Sequence, residues 1–127
     1  MAGKNVRFAQ LLEIHVSNVI TKKYITDKES FVTANFFKEV RETVKSTIEG
    51  VFAKSKYKLG TEALVWLSDQ YFKAVKINGA MMGEQVIINE YKLSSMPYSD
   101  IELMRNLFNE SAIGVVLEEE YRSRSQA

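Results

Sequence analysis

Apolar residues recur at three- and four-residue spacing along most of this chain, and the places where that rhythm stops divide it into segments. Phe8, Leu11, Leu12, Val16, Val19 and Ile20 mark one side of residues 5–24, with Lys4, Arg7, Asn18 and Lys22 largely elsewhere, the pattern of an amphipathic helix. Thr26-Asp27-Lys28-Glu29 has the form of a capping box, in which the threonine oxygen and the glutamate satisfy free amides, so a second helix is expected to start there. Phe36, Phe37, Val40, Val44, Ile48, Val51 and Phe52 form its apolar face and carry it to about Phe52. Lys38, Glu39, Arg41, Glu42, Lys45 and Glu49 occupy the other, solvated face.

The rhythm stops over residues 53–60, where Lys54, Lys56 and Lys58 alternate with small or aromatic residues before Gly60. Thr61 and Glu62 open another helix, in which Leu64, Trp66, Leu67, Tyr71, Phe72 and Val75 are dense enough to need cover on more than one side. Two readings fit the residues beyond Val75. In the preferred one the helix runs over 61–88 and tolerates Gly79 and Gly83 at about 1 kcal/mol each, offset by burial of Met81, Met82 and Val86. In the other it stops near Ile77, and the hairpin signal Asn78-Gly79 with the strand-like Gln85-Val86-Ile87-Ile88 makes a small sheet. The first is preferred because a strand of only Val75 to Ile77 cannot stabilise an isolated hairpin. Ser99-Asp100-Ile101-Glu102 is a second capping box, after the single proline, Pro97. Its helix has Ile101, Met104, Leu107 and Phe108 on the apolar side. Residues 118–125 read as a charged tail with too little apolar surface to order itself.

Composition narrows the chemistry. The 127 residues are about one domain's worth, and 46% hydrophobic against 26% charged is enough apolar material for one core. No stretch approaches the roughly 18 apolar residues of a membrane span, and the first residues lack a cleavable leader's pattern. There is no cysteine, so no disulfide or thiolate site. His15 is the only histidine and reads as structural. With no glycine-rich phosphate loop and no nucleophile beside a base, the chain is expected to be a binding protein, not an enzyme, with no catalytic residue, metal or cofactor assigned. Net charge is +1, but residues 1–58 hold 11 Lys or Arg against 6 acids (+5) and residues 59–127 hold 6 against 10 (−4). One surface suited to a polyanion and one acidic surface follow from that division.

The order medium helix, basic loop, long helix, short extended loop, short helix, at about 35–52, 53–60, 61–88, 89–99 and 100–109, resembles the histone fold. The likeness is sharpest at Met96-Pro97-Tyr98-Ser99-Asp100-Ile101-Glu102-Leu103, which is similar to the loop and third-helix start of the third core histone with one residue more between proline and aspartate. The Asn-Gly pair, few arginines and missing basic N-terminal tail depart from core histones and suit a divergent or viral member. The resemblance implies an all-α histone fold with an extra N-terminal helix: residues 1–30 as helix and connector, 31–111 as the core, 112–127 as tail.

It also implies a head-to-tail pair with another histone-fold chain, as heterodimer or homodimer, through Trp66, Leu67, Tyr71, Phe72 and Val75. Double-stranded DNA would be held by Lys54, Lys56, Lys58 and the other chain's Lys92, with Lys38 and Arg41 contributing. The setting would be the nucleus or a virion, in a chromatin-like assembly. Phosphate contacts of this kind position a protein without reading sequence. Two other expectations stand beside it: a histone-fold scaffold subunit of a transcription or kinetochore complex without major DNA contact, favoured by the near-neutral charge, and a small viral regulatory protein of unrelated helical or α+β fold, allowed by Asn78-Gly79.

Overall fold

A computed structural model of the chain describes residues 2–25, 34–77, 80–81, 92–109 and 111–125, and within them the protein is all-α apart from one pair of two-residue strands. Helix α1, Ala2–Ile20, runs into a π-helical turn, Thr21–Ile25. Ala9, Leu12, Val16, Ile20 and Tyr24, three or four residues apart, form one buried seam. The Tyr24 hydroxyl closes that seam by pairing with Thr43 Oγ1 at 2.8 Å. Helix α2, Ala34–Lys54, lays Phe37, Val40, Val44, Ile48 and Phe52 against α1 and the next helix, and leaves Lys38, Glu39, Glu42 and Glu49 in water. The capping box at residues 26–29 lies outside the described residues.

Helix α3, Thr61–Ala74, ends fourteen residues in. Val75 turns extended, with its amide held by the Phe72 carbonyl at 3.1 Å. Strand β1, Lys76–Ile77, then pairs antiparallel with β2, Ala80–Met81, Lys76 opposite Met81 and Ile77 opposite Ala80. The uninterrupted helix over 61–88 is therefore corrected to the shorter alternative. That register leaves Asn78-Gly79 as the two linking residues, the dipeptide that suits a two-residue hairpin. The hairpin is not isolated, because β1 lies against the π-helical turn after α1. Residues 82–91, including Met82 and Val86, lie outside the described residues.

A 3₁₀ turn, Leu93–Ser95, leads through buried Met96 to helix α4, Tyr98–Leu107. Pro97 is its N-cap, with no side-chain cap, so the expected box at Ser99 and Glu102 is not formed. Helix α5, Ala112–Ser125, packs on α4. This corrects the expectation of a tail without order. Ser111 caps α5 by accepting the Gly114 amide at 3.0 Å, and Leu117 is fully buried. Gly114 is obligatory there, because a Cβ would lie 2.1 Å from the Phe108 carbonyl oxygen. Among the described residues one core takes residues from all five helices, from Ala9 to Leu117.

Candidate nucleic-acid interface

The lysine loop is built by its odd-numbered residues. Ser55, Tyr57 and Leu59 are half-buried, whereas Lys54, the last residue of α2, and Lys56 and Lys58 beyond it are exposed, an alternation of period two. Ser55 Oγ donates to the Phe52 carbonyl at 2.9 Å and accepts the Tyr57 amide at 3.1 Å. The Tyr57 ring meets Phe8 of α1 edge-on at 5.1 Å, and Phe8 meets Phe52 at 5.5 Å. The backbone beneath the lysines is thus pinned to the core at alternate residues. Lys56 Nζ rests 5.5 Å from the Tyr57 ring centre, and among the described residues none of the three lysines pairs with a carboxylate.

Past the lysines, the Gly60 amide donates to Asp100 Oδ1 at 3.3 Å, which ties this loop to the first turn of α4. Lys92, also exposed and without a carboxylate partner among the described residues, belongs to the segment leading into that helix. The lysine loop and the segment leading into α4 therefore meet at the first turn of that helix. They sit with the N-termini of α3 and α4, neither carrying a side-chain cap. Unbonded first-turn amides add partial positive charge to this end.

Two of the six expected phosphate-binding residues do not belong to this end. Lys38 is exposed, but it lies 16 positions before Lys54 on α2, about 24 Å along the axis. Arg41 is occupied: Nε and one terminal nitrogen reach the two carboxylate oxygens of buried Asp69 at 2.7 and 2.9 Å. Those bonds, with the Asp69 charge, hold the guanidinium above its ordinary range against the opposing pull of burial. Arg41 clamps α2 to α3, with its Nε-side donor pair taken by Asp69.

The residues expected at a dimer interface lie largely inside the single chain. Trp66, Leu67 and Phe72 have 4%, 0% and 0% of their surface exposed in the single chain, and Tyr71 and Val75 are half-buried. Within the single chain α3 packs chiefly on α2, with Tyr71 edge-on to Phe108, and its buried residues share one core with α1 and α5. Tyr71 instead lines an open groove of about 900 Å³ between α1, α3 and the start of α5, with Glu13, Ser17, Ile113 and Val116. Burial, with Glu13 nearby, pushes its hydroxyl well above the usual phenol range. His15 is exposed on α1.

Sequence reasoning missed a layered cluster on the α4–α5 face. Tyr98 stacks on Tyr121 with ring centres 5.7 Å apart and planes 28° apart, and the Arg105 guanidinium lies 4.1 Å from the Tyr121 ring centre. Glu118 bonds Arg105 and accepts Arg122 Nε at 2.9 Å. These bonds, Arg105 first, hold the Glu118 carboxyl below its usual range. Arg124, expected in a disordered tail, donates to Glu120 at 3.1 Å and to the Leu93 carbonyl at 2.8 Å. The available signal was the spacing of Tyr98 and Arg105, two turns apart on one helix face.

The fold and this basic end define a small all-α domain with an exposed, scaffolded lysine loop. No protein-family model, curated protein or solved structure matches the chain. Among the described residues no helix is long and apolar enough to cross a membrane, and no group of three acidic or histidine side chains is placed to hold a metal ion.

Proposed function

We propose that this protein is a binding module that holds the phosphodiester backbone of a nucleic acid on its lysine loop. One observation carries the reading: Lys54, Lys56 and Lys58 stand exposed, unpaired with acids among the described residues and in alternate register, on a segment locked down by Ser55 and Tyr57. Lysines that merely solubilise a surface need no such scaffold, and holding the loop in advance lowers the ordering cost of binding. In the histone-type arrangement two chains bring two loops together. Here the Gly60–Asp100 bond ties the lysine loop to the helix that follows Lys92 within one chain, and the long helix that a clasped pair requires ends at Ala74. Chromatin-like or virion nucleic acid remains a setting in which such sequence-indifferent binding is useful.

Fluorescence anisotropy with labelled oligonucleotides tests the proposal. Binding is expected to weaken with salt at a log–log slope of about −2 to −4, the value for three or four phosphate contacts. Charge reversal at Lys54, Lys56 and Lys58 together should lower affinity at least about tenfold. Unchanged affinity in that triple variant rules the reading out. The groove beside Tyr71, flanked by Val116 at 44% exposure, favours a second reading, a scaffold subunit that docks another protein there. That reading gains if the triple variant binds as the wild type does.

A further inference from the structure

We propose that the nucleic acid is single-stranded at this site, and that the outer face of Tyr98 is a platform on which an unpaired base stacks. The inference rests on the phosphate-binding reading above and adds the class of strand. Tyr98 and Arg105 are two turns apart on one face of α4, about 10 Å at the helical rise, and Tyr121 from α5 fills the space between them. The result is a ladder of three flat groups whose last rung is Tyr98. Tyr98 is 45% exposed although its ring is stacked on Tyr121. The ladder is rigid from below: Glu118 bonds Arg105, and Arg122 bonds Glu118. A ring already fixed in place loses little freedom when a base lands on it.

The surroundings of this rung select a base over a phosphate. Glu102, exposed one turn along α4, disfavours an anion at the ring, and the nearby Arg105 is already paired with Glu118, whereas an uncharged base meets no such opposition. Phosphates are accommodated on the other side of the α4 N-terminus. Asp100, which bonds the end of the lysine loop at Gly60, sits about 200° around the helix from Tyr98, so the Gly60 end of that loop and the platform lie on opposite sides of α4. A strand crossing the uncapped start of α4 presents its backbone to Lys56, Lys58 and the free amides and turns a base onto Tyr98. A duplex keeps its bases stacked inside and offers no ring face for this contact.

The test compares three labelled ligands by anisotropy at one salt concentration: an oligothymidine single strand, a blunt duplex of equal length, and a heparin oligosaccharide, which has charge but no bases. The single strand is expected to bind about tenfold more tightly than the duplex. Tyr98→Ala should lose about tenfold on the single strand and nothing on heparin, and Tyr98→Trp should keep single-strand affinity at or above wild type. Equal loss on heparin and the single strand, no loss on either, or failure of the Trp variant overturns the platform. If the wild type binds none of the three ligands, the phosphate-binding reading falls and takes this one with it. If it binds duplex and heparin as tightly as the single strand, and the triple lysine charge reversal abolishes all three, only the platform falls.

Discussion

The pairing of Arg41 with Asp69 shows how one contact changes the meaning of a charge. From sequence, Arg41 belongs to the polar face of α2 and counts toward a basic surface; in the fold it neutralises a carboxylate that is 1% exposed on α3. Removing the arginine leaves a buried charge alone, which costs about 3 kcal/mol. Arg41→Ala is accordingly expected to lower the urea-unfolding free energy by about that amount. Its nucleic-acid affinity in physiological salt should stay close to wild type, because Arg41 lies about 20 Å from Lys54 along α2, beyond the roughly 8 Å Debye length. A tenfold affinity loss without destabilisation would reverse the roles assigned to it.

At the scale of elements, α5 is held to α4 by Gly114, Leu117 and the Glu118–Arg105 pair. The folded Glu118 carboxyl titrates below its ordinary value of 4.5. A group with a depressed folded value stabilises above the unfolded value and loses that contribution as pH falls through the folded one. Wild type should therefore melt higher than Glu118→Gln near neutral pH, and the gap between their Tm values should shrink as pH is lowered from about 5 to about 3. A gap independent of pH would show that the ion pair does not hold α5. The helices α1, α2 and α4 were legible because their apolar residues keep the helical period over two turns or more, and the lysine loop because that period stops. The end of α3 was not. Turn chemistry at Asn78-Gly79 and helical burial beyond Val75 competed, and the support that β1 finds in the π-helical turn comes from a distant part of the chain.

For the whole molecule the question is whether one chain covers its own apolar surface. Trp66, Leu67 and Phe72 lie in a core closed by α1 and α5, so the lone protein is expected to be monomeric by light scattering, with a Tm that does not change with protein concentration. A Tm that climbs with concentration would restore a clasped pair. By itself the sequence determined the helical class, the positions of three helices, the single core and the lysine loop, because each is a local matter of apolar period or charge run. The tertiary structure alone decided where α3 stops, that residues 112–125 form a helix, that Arg41 is a clamp, and that Tyr98, Tyr121 and Arg105 form a stack. Each of those depends on residues far apart in the chain meeting at atomic distance, and neither spacing nor composition specifies such meetings.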